Sequence, residues 1–249
     1  TRGGAGLTVE PKIYGAILAG GSGTRMNSPV PKQFLMLGDA PVFIHCLRTF
    51  LKDSRIRQVW VGSNGDWLEL ARQQIGEYIG ADERLRLCQG GADREGTMLN
   101  VLNAIRENNR TTDSDIVLIH DSVRPFVTLR IIGDVIAAME NCDACNTVVP
   151  VNDTVVRSAD GRTVSDMPLR SELFAGQSPQ GFRIHKLLDA YERLSPEQRA
   201  RLTETTKICY FSDIPIHLVR GEFFNFKITT PYDLEAANFA LEYIKKMQE

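Results

Sequence analysis

The chain has 249 residues, 43% hydrophobic and 24% charged; this ordinary globular composition excludes disordered, collagen-like and coiled-coil architectures and fits one large domain, expected over residues 12–247. Lysine plus arginine number 29 and aspartate plus glutamate 31, so the formal net charge is −2; no overall basic field favours nucleic acid, and anion binding has to come from a local cluster. No apolar run approaches the ~18 residues of a membrane span, and five sparse cysteines suit a reducing cytoplasm better than a disulfide framework.

Residues 1–11 contain no apolar stretch and are expected to be a disordered extension outside the fold. Residues 12–18 (KIYGAIL) form a short apolar run ended by glycines, which marks a buried strand. Val42, Ile44, Cys46, Leu47 and Phe50 then fall mostly at helical spacing. Residues 58–61 are β-branched and aromatic. Trp67, Leu68, Ala71, Ile75 and Ile79 step as a helix, and residues 85–88 as a strand. Met98, Val101, Leu102 and Ile105 form the next helical face. Residues 115–120 (DIVLIH) carry the strongest buried-strand signal. Thr128 can cap a helix whose stripe is Ile131, Ile132, Val135, Ile136 and Met139, and residues 147–151 are again a strand.

This alternation predicts βαβ units: an α/β, Rossmann-like, mostly parallel sheet with helices on both faces. The rhythm changes near Asn152. Residues 153–157 and 163–166 are β-like pieces around Asp160-Gly161, a hairpin signal. This protruding arm, residues 152–170, has too little apolar content to stand alone and is expected to lie on its own body or on a second subunit. Helical spacing resumes over 184–194, residues 214–219 suggest a strand, and Thr230, Pro231 and Asp233 open a final helix. Cys142 and Cys145 form a C-x-x-C with no companion ligands and no redox context, so it is read as coincidental.

The first strand runs into Leu18-Ala19-Gly20-Gly21-Ser22-Gly23-Thr24-Arg25-Met26. Glycines there let backbone N–H groups approach an anion closely. Met26 stands where a dinucleotide fingerprint needs a third small residue, and Thr24-Arg25 follow Gly23 where a Walker loop needs Lys-Ser/Thr. The loop is therefore a phosphate cradle of another class. Arg25 and the proline-held Lys32 can converge on a triphosphate, one bidentately and the other as a point charge.

That segment with Pro31-Lys32-Gln33 resembles the signature of nucleotide-diphospho-sugar transferases. Further segments narrow the resemblance: Gly90-Gly91-Ala92-Asp93-Arg94, His120-Asp121-Ser122-Val123-Arg124-Pro125-Phe126, Gly176-Gln177-Ser178-Pro179-Gln180 and Asn225-Phe226-Lys227-Ile228-Thr229-Thr230-Pro231. In this order the chain is similar to the cytidylyltransferase family that includes the methylerythritol-phosphate and ribitol-phosphate enzymes, from Ile13 to Lys245. HDSVRPF and GQSPQ look more like the ribitol-phosphate branch, whose products serve surface polymers such as teichoic acid or capsule. The alternatives are the methylerythritol branch of isoprenoid synthesis and a non-catalytic nucleotide-binding module.

The resemblance implies transfer of a cytidylyl group from CTP to a polyol phosphate with loss of pyrophosphate. It implies catalytic cations Arg25, Lys32 and Lys227, and a CTP cradle from Leu18, Ala19, Gly20, Gly21 and Gly23. Gly91, Asp93 and Thr97 would read the base and ribose, with Ser122 on the ribose. Asp121, at the end of the DIVLIH strand, would organise Mg²⁺. Thr154, Arg170 and Lys227 would hold the polyol phosphate; Ser178 would hydrogen-bond it or hold its own loop. Arg124 is either a site cation or a salt bridge beneath the site. A homodimer through the arm is expected, with Arg170 serving either its own or the partner's site. His120 is expected to be packing, because successive strand residues face opposite ways.

Overall fold

The structure is a computed structural model that describes residues 10–21 and 28–248. In chain order the elements are β1 (Ile13–Ala19), β2 (Met36–Leu37), β3 (Ala40–Pro41), α1 (Val42–Lys52), β4 (Ile56–Ser63), α2 (Leu68–Tyr78), β5 (Leu85–Gln89), α3 (Arg94–Asn108), β6 (Ile116–Asp121), α4 (Leu129–Ala138), β7 (Ala144–Pro150), β8 (Phe174–Arg183), α5 (Ile184–Arg193), α6 (Pro196–Arg199), α7 (Thr206–Phe211), β9 (His217–Arg220) and α8 (Pro231–Gln248). Seven strands form one sheet in the order β5-β4-β1-β6-β8-β7-β9, and β2 pairs with β3 in a small hairpin.

The central strand shows why the sheet is buried on both sides. Every residue of β1 is buried. Ile13, Ile17 and Ala19 face one apolar layer, which α1 and α4 complete with Phe43, Leu47, Phe50, Ile131 and Val135. Tyr14, Ala16 and Leu18 face the other, which α3, α5 and α7 complete with Met98, Leu102, Leu187 and Ile208. The period of two sends alternate residues to opposite layers, and a run apolar on both faces can only be an interior strand. A smaller cluster of Leu37, Val42, Phe126, Ile228 and Ala237 docks α8 onto the β2–β3 hairpin.

From β1 the chain builds outward through β4 to β5, then crosses to β6 on the other side of β1. Both neighbours run parallel to β1, and Leu18 registers with Asp121. The order of strands thus reverses beside β1, and at their carboxyl ends lies the crevice where open α/β sheets bind ligands.

The sheet is mostly parallel, as expected, but β8 was not anticipated: it runs antiparallel between β6 and β7. Its sequence, FAGQSPQGFR, is rich in residues that weaken strands, yet Gly181 is required: an added Cβ would lie 2.8 Å from Cys145 Sγ. Short helices α6 and α7 were not anticipated, and the strand expected over 214–219 is β9. The arm reverses at Asp160, whose carboxylate accepts the N–H groups of Arg162 and Thr163, with Gly161 at φ +69°. Its two expected strands do not form; they are replaced by a single antiparallel bridge, Arg157 to Asp166. With almost no apolar partner on its own body, the arm lacks the packing that holds a ladder together. Cys145 is buried in β7, where burial pushes its thiol up to about 12, so the C-x-x-C is chemically quiet. Residues 1–9, most of the expected extension, lie outside the described residues.

Candidate active site

The floor of the crevice is the end of β1. Gly20 packs so tightly on α3 that an added Cβ would stand 2.1 Å from Thr97 Oγ1. Gly91 is equally crowded, with Gly96 C at 2.5 Å from the position of its missing Cβ. These glycines allow the β1 and β5 loops to close on the first turn of α3. Asp93 caps that helix by accepting the N–H of Gly96 at 2.7 Å. Thr97 is fully buried; its hydroxyl accepts from Gly91 N at 3.1 Å and donates to Asp93 O at 2.7 Å. Thr97 therefore ties the β5 loop to the first turn of α3.

Gln33, for which the sequence suggested no role, anchors the glycine turn. Its buried carboxamide donates to Ala19 O at 2.8 Å and to Gly21 O at 2.9 Å. The signal was its place directly after Lys32. Lys32 lies in the same 3-10 turn, largely buried, and its charge acts on Asp233 at the start of α8. Arg25 and Gly23 fall outside the described residues.

Asp121 ends β6 opposite Leu18 and gathers one neighbouring cation and two from distant segments. Arg94 Nε lies 3.0 Å from its Oδ1, Lys227 Nζ 3.1 Å from its Oδ2, and Arg124 Nε 3.7 Å from its Oδ2. Burial alone would raise the carboxyl, but Arg94, Lys227 and Arg124 together outweigh it and hold Asp121 far below the usual carboxylate range. Arg94 also donates to Thr205 Oγ1 at 2.9 Å. Arg124 is a latch as well as a cation: it donates to Asn225 O at 2.9 Å and Gly176 O at 3.3 Å. Asn225, fully buried, donates to Ser178 O at 2.9 Å and so holds the loop that carries Lys227 against β8.

Ser122, directly after β6, and Ser178, on β8, are both buried. Ser122 is buried, with its N–H on Leu18 O at 3.2 Å. Ser178 Oγ accepts the N–H of Asp121 at 3.1 Å and meets His120 Nδ1 at 3.0 Å. His120 Nε2 lies 3.0 Å from Arg124 O. A carbonyl can only accept, so Nε2 carries the hydrogen. Burial lowers the His120 pKa to about 4, so the ring is neutral and its bare Nδ1 accepts the Ser178 hydroxyl. His120 is thus packed, as expected, and also networked. Thr154 and Arg170 are exposed on the arm; Arg170 donates to Asn152 O at 3.0 Å.

A glycine turn and an arginine- and lysine-ringed carboxylate at a switch point is an arrangement for nucleotide phosphates, and comparison with known proteins agrees. Residues 13–243 match the profile of the 2-C-methyl-D-erythritol 4-phosphate cytidylyltransferase family. The chain belongs to this family. Within it, the chain is 47% identical over 231 residues to a ribitol-5-phosphate cytidylyltransferase of Lactiplantibacillus plantarum, covering 92% of this chain and 98% of that protein. Its fold matches the 4-diphosphocytidyl-2C-methyl-D-erythritol synthase of Anaerococcus prevotii with a TM-score of 0.78 at 26% identity, covering 93% and 99% of the two chains. The cytidylyltransferase of Thermus thermophilus matches with a TM-score of 0.69 at 25% identity, covering 93% and 98%. The protein is a nucleotidyltransferase of the cytidylyltransferase type. No described helix is long and apolar enough to cross a membrane.

Proposed function

We propose that this protein makes CDP-ribitol and pyrophosphate from CTP and ribitol 5-phosphate. The observation that carries the reading is the set of cations around Asp121, at the mouth of a glycine-lined crevice, in a chain 47% identical to a ribitol-5-phosphate cytidylyltransferase. A phosphate oxygen of ribitol 5-phosphate attacks the α-phosphorus of CTP in line. The new P–O bond forms as the bond to the β-phosphate oxygen breaks, and pyrophosphate takes the electron pair.

The nucleophile is already ionised, because the second pKa of a phosphate monoester is about 6, so no side chain needs to remove a proton. The obstacle is repulsion between two anions, which positioning and positive charge overcome. Backbone of Leu18, Ala19, Gly20, Gly21 and Gly23 takes the CTP phosphates beside the α3 N-terminus, with Gly91 and Asp93 near the base and ribose. Arg25, Lys32 and Lys227 stabilise charge on the α-phosphate and the leaving group.

Mg²⁺ accompanies the nucleotide in this reading and neutralises phosphate charge when bound. Among the described residues no three His, Cys, Asp or Glu side chains converge on a metal site. The ionised Asp121 suits an ion held mainly by phosphates and water, with this carboxylate as the protein oxygen.

The arm pairs the protein with a second copy. Val156 is 50% exposed, Val164 58%, Met167 63% and Leu169 68%. Phe174 at its base lines a groove with Pro150, Leu218 and Phe223. A second subunit that covers these side chains gives a C2 dimer and sets Thr154 and Arg170 beside one of the two sites to hold the polyol phosphate.

The assay mixes the protein with CTP, Mg²⁺ and either ribitol 5-phosphate or methylerythritol 4-phosphate and follows pyrophosphate. Faster release with ribitol 5-phosphate is expected. A clear preference for methylerythritol phosphate moves the protein to the other branch, and CTP binding without release from either makes it a nucleotide-binding module.

A further inference from the structure

We propose that His120 and Ser178 form a positioning clamp that fixes the turn from Asp121 to Arg124 and so aims both its carboxylate and its guanidinium. The clamp rests on the proposed function, in which Asp121 and its ring of cations stand beside the phosphates. The turn is closed by Arg124 N on Asp121 O at 3.0 Å. Its first residue gives its N–H to Ser178 Oγ at 3.1 Å, and its last receives the Nε2 hydrogen of His120 at 3.0 Å. Ser178 and His120 meet at 3.0 Å, so one hydroxyl and one rigid ring hold both ends of the turn.

The ring is itself held. The Phe50 ring lies 5.3 Å from it, and Phe50 occupies space that exists only because residue 15 is glycine: an added Cβ would stand 2.8 Å from Phe50 Cδ1. His120 is 0% exposed and Ser178 1% exposed, so both act through Asp121 and Arg124. Burying such polar groups is unfavourable unless each donor and acceptor is matched, and here the Ser178 hydroxyl and both His120 ring nitrogens are matched. Misplacement of a reacting group by about 1 Å can cost about 10²-fold in rate, so a rigid support has a direct kinetic consequence.

Kinetics and NMR test the clamp. His120→Phe, similar in shape but without hydrogen bonds, should lower kcat by about 10²-fold while leaving KM for CTP unchanged. Ser178→Ala should lower kcat less, and Ser178→Thr, which keeps the hydroxyl, should restore most of it. In the unliganded wild type, nitrogen-resolved NMR should place the His120 hydrogen on Nε2, and the Asp121 amide should exchange faster in Ser178→Ala. The clamp is overturned if both variants keep kcat, if the hydrogen sits on Nδ1, or if Ser178→Ala raises KM for the polyol phosphate alone. If His120→Phe does not fold, Ser178→Ala and the wild-type NMR still decide. Tautomer and exchange need no turnover, so failure of the assigned reaction leaves the clamp separately testable.

Discussion

Lys227 Nζ lies 3.1 Å from Asp121 Oδ2, a contact between residues 106 positions apart that joins the loop before α8 to the end of β6. The pair is half-open: the Lys227 side chain is 38% exposed and that of Asp121 12%. In the proposed reaction the ammonium exchanges this carboxylate for a phosphate. Lys227→Met should lower kcat by about 10²–10³-fold, by analogy with removal of one transition-state donor. The fold should persist, because Arg94 and Arg124 still neutralise Asp121. Pyrophosphate release beside a thermal melt checks both statements; an unchanged kcat removes Lys227 from the chemistry.

Gln33 supports the glycine turn through two hydrogen bonds from one buried amide. Gln33→Leu leaves Ala19 and Gly21 carbonyls without that partner and should cost on the order of 2 kcal/mol of stability while raising KM for CTP. Gln33→Glu should be worse, because a carboxylate would face two carbonyl oxygens. Denaturant unfolding and CTP titration measure the two effects.

Gly20→Ala forces a methyl to within 2.1 Å of the Thr97 hydroxyl. Overpacking of this kind costs about 1–3 kcal/mol, and here it also displaces the phosphate cradle. CTP binding should weaken sharply, and adding Thr97→Ala should recover part of it. A double-mutant cycle in CTP affinity reads the coupling; strictly additive effects would refute the contact.

Burial holds His120 neutral, with its pKa lowered to about 4 against about 6.5 in an unfolded chain. The unfolded state thus binds the proton more readily, and stability is lost as pH falls from about 6.5 to about 4, by up to on the order of 3 kcal/mol. In metal-free buffer the stability advantage of wild type over His120→Phe should be widest above pH 6.5 and narrow toward pH 4. Chemical denaturation across that range checks the trend, and a gap that widens on acidification contradicts it.

Leu169→Asp, at a position 68% exposed, should abolish the proposed dimer while leaving the unfolding free energy of the separated subunit within about 0.5 kcal/mol of wild type. Light scattering gives the mass. A wild type that is monomeric at high concentration removes the arm from any interface.

Much of the architecture is local and therefore readable along the chain. Residues 116–119 are apolar enough that burial on both faces is their only favourable placement, and Asp121 stands where that run ends. Gly20, directly after β1, marks a close approach because a side chain there would collide with Thr97 of α3. β8 escaped because its glycines, proline and glutamines are poor strand formers, and only the pairing offered by β6 and β7 makes them a strand. The family resemblance set Thr97 and Ser122 at the nucleotide and left Ser178 open between the substrate and its own loop. Whether such a residue points into the crevice or beneath it depends on register and loop closure, which local sequence does not encode.

By itself, then, the sequence determined the alternating layers, the glycine cradle and the supply of positive side chains, since these follow from hydrophobic period, steric freedom and residue charge. Only the tertiary structure decided which cations meet Asp121, that Gln33 bonds the glycine turn, and that His120 and Ser178 hydrogen-bond the two ends of the turn from Asp121 to Arg124. Most of those relationships join residues far apart in the chain, up to 106 positions for Lys227 and Asp121, and side-chain hydrogen bonds and ion pairs act over a few ångströms, so they exist only once the sheet has brought their ends together.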